Sequence, residues 1–75
     1  MGRYKEILAG ASINDIEEGA TYNYYGYSRS DGSWIIMRTN TAITQLRYDV
    51  GGSDYATAWA GRAGLVYKTA NSFKY

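Results

Sequence analysis

Thr21-Tyr22-Asn23-Tyr24-Tyr25-Gly26-Tyr27, followed beyond Asp31-Gly32 by Trp34-Ile35-Ile36-Met37-Arg38-Thr39, is the stretch on which the fold turns. β-Branched and aromatic side chains fit a pleated, half-buried surface, so each run predicts a strand and the Asp-Gly between them predicts a hairpin. The connection from Ser28 to Ser33 exceeds a minimal type I′ link, so Asp31-Gly32 is expected to be the turn portion of a wider loop. Alternation places Tyr22, Tyr24 and Gly26 on one face and Asn23, Tyr25 and Tyr27 on the other. In the second run Trp34, Ile36 and Arg38 alternate with Ile35, Met37 and Thr39. Both faces therefore carry rings and aliphatic groups, one face to meet a helix and the other a neighbour.

Outward from this hairpin, residues 43–50 alternate Ile43, Gln45, Arg47 and Asp49 against Thr44, Leu46, Tyr48 and Val50, the pattern of a half-buried strand. Gly51-Gly52-Ser53-Asp54 breaks it, and Ser53 or Asp54 is placed to cap a helix over residues 55–63. Helical spacing there puts Tyr55, Trp59 and Ala63 on one stripe, Ala56 and Ala60 on a smooth flank, and Arg62 near the negative end of the helix dipole. Gly61 and Gly64 weaken and then stop the helix. Residues 65–67 read as a short last strand, and residues 68–75 as a tail that is loose or docked on a partner. On the other side, residues 4–9 read as a strand. Residues 11–19 read as a polar connection, in which Ser12 or Asn14 caps a turn ahead of Asp15, Glu17 and Glu18. With no proline, no repeat and no linker, residues 1–75 form one domain. The expected architecture is a small α+β fold, an antiparallel sheet of about four strands covered by one short C-terminal helix.

Composition narrows the chemistry. The chain has neither cysteine nor histidine, so it holds no disulfide, no ordinary zinc, haem or iron–sulfur site, and no Ser-His-Asp or Cys-His nucleophile system. Eight basic and seven acidic residues give a net charge of +1, too little to gather nucleic acid or anionic lipid. Asp15-x-Glu17-Glu18-Gly19 lacks the ligand alternation of a calcium loop. Gly51-Gly52 precedes a helix without the Lys-Ser/Thr of a phosphate-binding loop. Arg29, Arg38 and Arg47 interleave with Tyr25, Tyr27 and Tyr48, as in a single-strand nucleic-acid platform, but Asp31 and Asp49 nearby point to solvated ion pairs instead. The reading is a chain with no catalytic residue, no metal and no cofactor. The charged opening Met1-Gly2-Arg3-Tyr4-Lys5-Glu6 suits neither a signal peptide nor a membrane span, and Glu6 stands where a myristoylation motif needs Ser or Thr.

Nine Tyr, two Trp and one Phe supply much of the apolar material. Burial of roughly 7,500 Å², about 60% of it apolar, contributes on the order of 110 kcal/mol, which ordering 75 residues at ~1.5 kcal/mol each offsets almost completely. Buried rings also need partners for their hydroxyls, so a tyrosine-rich core is thin and some rings are left at the surface. Tyr22, Tyr24, Tyr25, Tyr27 and Arg29 are the candidate partner-binding residues, since rigid aromatic groups and arginine anchor interfaces.

The pattern Tyr25-Gly26-Tyr27, then Ser33-Trp34-Ile35-Ile36-Met37-Arg38, then Tyr55 to Tyr67 with Trp59, Arg62, Ala63, Leu65 and Tyr67, resembles small uncharacterised proteins of tailed bacteriophages. The opening Arg3-Tyr4-Lys5-Glu6-Ile7-Leu8 is similar too. The chain departs from that group at Ala60-Gly61, often polar there, and at Gly64, often Ser. The resemblance implies a virion-associated structural component of the neck, tail, fibre or capsid, made in the host cytoplasm and then carried in the particle. It implies binding to further copies of itself or to other virion proteins, with Trp34, Trp59, Arg62 and Tyr67 as framework positions. Two alternatives come from other classes. One is a host-glycan binding module using Tyr22, Tyr24 or Tyr27 as stacking platforms, and the other is a small phage effector that occupies a host protein.

Overall fold

In the computed structural model, which describes residues 7–72, the predicted hairpin lies at the centre of the fold. Strand β2 (Tyr22–Arg29) pairs antiparallel with β3 (Trp34–Asn40) from Tyr22↔Asn40 to Ser28↔Trp34. Gly32, at φ 92°, turns the wider loop, and the Asp31 carboxylate accepts from both the amide and the hydroxyl of Ser33 at 2.9 and 2.7 Å. Those bonds hold the Asp31 carboxyl below its usual range. Strand β1 (Ala11–Glu18) joins the free side of β2, and β4 (Leu46–Gly51) the free side of β3, giving a four-stranded meander in the order β1-β2-β3-β4. A short helix, α1 (Tyr55–Ala60), follows. The chain is thus a small α+β fold, an antiparallel sheet with one short helix, and among the described residues no helix is long and apolar enough to cross a membrane.

Register defines two faces. One carries Glu17, Tyr24, Arg38 and Arg47 in a row, then Asp15, Gly26, Ile36 and Asp49, then Ser12, Ser28, Trp34 and Gly51. The other carries Ile16, Tyr25, Met37 and Tyr48 in a row and Ile13, Tyr27, Ile35 and Val50 in the next. The core on this second face is Ile7, Ile35 and Tyr48, with Leu8, Ala11, Tyr27, Met37, Val50 and Ala70 packed around them. Asn23 and Thr39 are buried beside it and satisfy each other through Asn23 Nδ2, which donates to Thr39 Oγ1 at 3.3 Å. Ile36, fully buried, belongs to the first face. β3 is therefore covered on both sides, as its doubly apolar sequence requires.

Helix α1 lies over the first face at Gly26. A Cβ on Gly26 would collide with the Tyr55 hydroxyl and sit 2.8 Å from Trp59 Cε3, so the absence of a side chain is what lets these rings settle on β2. Gly51 makes the same kind of room for the indole of Trp34, whose Nε1 donates to the Ser53 carbonyl at 2.7 Å. Trp34 and Trp59 thus flank the sheet–helix contact.

Several elements depart from the sequence reading. Residues 11–19, expected as a polar connection, contain β1. Of the expected strand at residues 4–9, residues 4–6 lie outside the described part, Ile7 is helical and residues 8–10 form a turn, closed by Ala11 N–H donating to Leu8 O at 2.9 Å with Gly10 at φ 74°. The strand expected from residue 43 begins only at Leu46. Asn40 is the cause, since its Oδ1 accepts the amides of Thr44 and Gln45 at 2.8 and 2.9 Å and Ile43 is driven to φ 56°. α1 stops at Ala60, and Arg62 to Gly64 form a 3₁₀ turn, so Ala63 is exposed and off the stripe. Asp54 occupies the N-cap with a left-handed backbone and no side-chain cap. Ala56 and Ala60 point outward, while Tyr55, Ala58 and Trp59 are the half-buried positions. Residues 65–67 form no strand; only Lys68 pairs, in an isolated bridge with Tyr48 on the outer edge of β4. Within residues 68–75, Ala70 packs on the core, and residues 73–75 lie outside the described part.

Candidate interaction surface

The five candidate binding residues all lie on β2 and divide between the faces. Tyr22 and Tyr24 are on the helix-covered face; Tyr25, Tyr27 and Arg29 are on the opposite one. Arg29 turns inward. Its Nε donates to Ala9 O at 2.8 Å, Nη1 to Ser33 Oγ at 3.2 Å, and Nη2 to the Ile7 carbonyl. The guanidinium thereby ties the 7–10 segment to the hairpin, using the fork of donors that only arginine offers.

On the helix-covered face, arginines and rings interleave. The Arg38 guanidinium lies 4.3 Å from the Tyr22 ring centre and 4.7 Å from that of Tyr67, and Arg62 lies 4.5 Å from Trp59. Tyr24 contacts both Tyr22 and Tyr67, with ring centres 6.3 and 6.1 Å away. Arg38 and Arg47 face each other across β3 and β4, and ring stacking steadies Arg38 against this like-charge neighbour. Arg62 donates through Nε to Glu17 Oε1 at 2.8 Å and through Nη1 to Trp59 O at 2.7 Å, linking β1 to the end of α1. The hydrogen bond to Arg62 holds the Glu17 carboxyl below its usual range. Tyr55 donates to Asp15 Oδ2 at 2.7 Å, and burial together with that carboxylate pushes the Tyr55 hydroxyl well up. Burial does the same to Tyr67, whose hydroxyl donates to Arg62 O at 2.8 Å. These groups hold one another. Among the described residues, no three carboxylates converge as a metal would require.

The open surface lies on the other face. Ile13 is 47% exposed and Ile16 59%, and they sit directly opposite the half-buried Tyr27 and Tyr25. In regular alternation, residues three apart point to opposite faces. A bulge between Ile13 and Asp15 inserts Asn14 and brings both isoleucines to one side. Asn14 itself turns to the helix-covered face, where its Nδ2 donates to Ser28 Oγ at 2.6 Å. Sequence reasoning missed Ile13 and Ile16, because their spacing fits neither a regular strand nor the polar connection assigned there. The available signal was two apolar residues in an otherwise polar stretch. The rings named for glycan stacking, Tyr22, Tyr24 and Tyr27, do not share a face, and one side of Tyr22 is already taken by Arg38. Comparison with protein-family models, with curated proteins and with solved structures finds no match to this chain.

Proposed function

We propose that this chain is a non-enzymatic structural and interaction protein of a tailed-phage particle, binding protein through the apolar and aromatic strip of β1 and β2. The observation that carries the binding reading is the exposed pair Ile13 and Ile16, laid beside Tyr27 and Tyr25 on an edge strand. Native edge strands are usually blunted by charge or cover, and an apolar strip left open on one is the mark of an interaction site. The phage assignment rests on the residue pattern. Gly26, Trp34 and Trp59 from that pattern form the sheet–helix junction, which supports reading them as framework and the β1 strip, with Tyr25 and Tyr27 on the other face, as the binding surface.

Mass spectrometry of purified particles of the encoding phage tests this. Stoichiometric copies in the particle are expected, together with loss of incorporation when Ile16→Lys is introduced. A protein found only in the infected-cell lysate would overturn the virion reading in favour of the effector alternative.

A further inference from the structure

We infer that the partner at the β1 strip is a second copy of this chain, joined antiparallel through β1 about a two-fold axis between Asn14 and Asp15. The inference rests on the binding role just proposed for that strip. β1 is the outer strand of the sheet, exposed from Ser12 to Glu18, and among the described residues nothing pairs with its outer edge. The other edge differs, because Lys68 exchanges backbone hydrogen bonds with Tyr48 at 2.7 and 2.8 Å in the middle of β4.

The bulge makes β1 self-complementary in one register. Ala11, Ile13, Ile16 and Glu18 point to the face that carries the core, and Ser12, Asn14, Asp15 and Glu17 to the helix-covered face. Read from either end, this sequence of faces is the same. Directly opposed residues in an antiparallel pair share a face. Pairing Ala11 with Glu18 of the second copy, Ser12 with Glu17, Ile13 with Ile16 and Asn14 with Asp15 therefore matches every position of the strand. Any other antiparallel register that overlaps the body of the strand sets at least one side chain against the wrong face. A bulge on an edge can also serve to discourage pairing. Here it instead gathers two isoleucines into an exposed strip and selects a register.

The chemistry across the joint agrees. Each Ile13 meets an Ile16, Asn14 offers an amide to Asp15, and no carboxylate lies directly opposite another. Glu17 and Asp15 are moreover already engaged by Arg62 and Tyr55 of their own chain. On the face that carries the core and the exposed isoleucines, the joint makes the apolar rows continuous. Val50, Ile35, Tyr27 and Ile13 of one copy lead into Ile16, Tyr25, Met37 and Tyr48 of the other, and the symmetry axis repeats the row in reverse. The result is an isologous dimer with one eight-stranded sheet.

Cysteine cross-linking reads the register directly, since the chain has no cysteine of its own. Opposed residues in an antiparallel pair have Cα atoms roughly 4.5–5.5 Å apart, within disulfide reach, whereas Ile13 and its own symmetry mate are too distant. Under mild oxidation, a mixture of Ile13→Cys and Ile16→Cys chains is expected to give covalent dimers, and each single variant alone is not. Sedimentation equilibrium of the unmodified chain is expected to show a monomer–dimer equilibrium, with Ile16→Lys raising the dissociation constant about tenfold or more, circular dichroism confirming that this exposed substitution leaves the fold intact. A chain monomeric across the micromolar range, or Ile13→Cys alone linking as fast as the mixture, overturns the inference. The first result, with the protein still present in particles, leaves the proposed function standing with a different partner.

Discussion

Gly26 is the residue on which the two layers meet, and its sequence context concealed that. Tyr25-Gly26-Tyr27 reads simply as part of a strand, yet the glycine is there because Tyr55 and Trp59 come down on it. Gly26→Ala would set a methyl group against the Tyr55 hydroxyl and 2.8 Å from Trp59 Cε3. Making room would break the Tyr55–Asp15 hydrogen bond or the Tyr55–Trp59 stack, so urea denaturation should show a loss of about 1–3 kcal/mol, the usual range for overpacking. Ile43 presents the opposite case. A β-branched residue at φ 56° is strained, and its side chain is 56% exposed, so it gains little from burial. Ile43→Asn, which tolerates this backbone region, is expected to raise stability by about 1 kcal/mol in the same measurement. An unchanged midpoint would show that Ile43 makes a contact worth as much as its strain. Neither residue was legible in advance: what decides each is a neighbour distant in sequence or a local hydrogen-bond network centred on Asn40.

Among the elements, β2 and β3 were readable from the chain because both of their faces are apolar and the Asp-Gly turn stands between them. β1 was not. It lies at the edge, contains Asn14, Asp15, Glu17 and Glu18, and its bulge breaks the period of two by which strands are recognised. β4 was legible except for its start, which Asn40 delays to Leu46. α1 was correctly placed at its beginning but overextended, since Gly61 ends it and Arg62 begins a tighter turn. The link between β1 and the α1 region consists of Asp15 with Tyr55 and Glu17 with Arg62, and within it the titrations of Glu17 and Tyr55 are displaced. Glu17, held low in the folded state, contributes stability that is present above its unfolded value near ~4.3 and is lost as pH falls through the lower folded value. Tyr55, held high, contributes stability that is complete below about pH 10 and is lost as pH rises above it. Thermal melts across pH should therefore show this link at full strength between about pH 5 and 10. Glu17→Gln should flatten the acid side alone and Tyr55→Phe the alkaline side alone. An acid limb unchanged by Glu17→Gln would place the titrating group elsewhere.

For the whole molecule, the decisive quantity is how many rings the chain can shelter by itself. Its accessible surface is 4543 Å², close to the ~4,600 Å² that a folded monomer of this mass exposes, so the rings are not left outside by loose packing. They are shared out. Trp34 and Tyr48 are buried, Tyr22 is exposed, and Tyr24, Tyr25, Tyr27, Tyr55, Tyr67 and Trp59 are half-buried, stacked on arginines or one another on the helix side and set beside open isoleucines on the other. The tyrosine-rich composition foretold this thinness, and the candidate rings were found where alternation put them. The exposed aliphatic strip was hidden, because it exists only once the bulge has formed. If two copies join along that strip, folding and association are one equilibrium, and each tenfold rise in concentration adds about 0.7 kcal/mol of stability per chain. For a domain of this length, the melting temperature should then climb by about 3–5 °C per tenfold rise once the chain is mostly paired. Calorimetry over a hundredfold concentration range should show that slope for the unmodified chain and a flat line for Ile16→Lys. A common slope in both would trace the association to a surface other than β1.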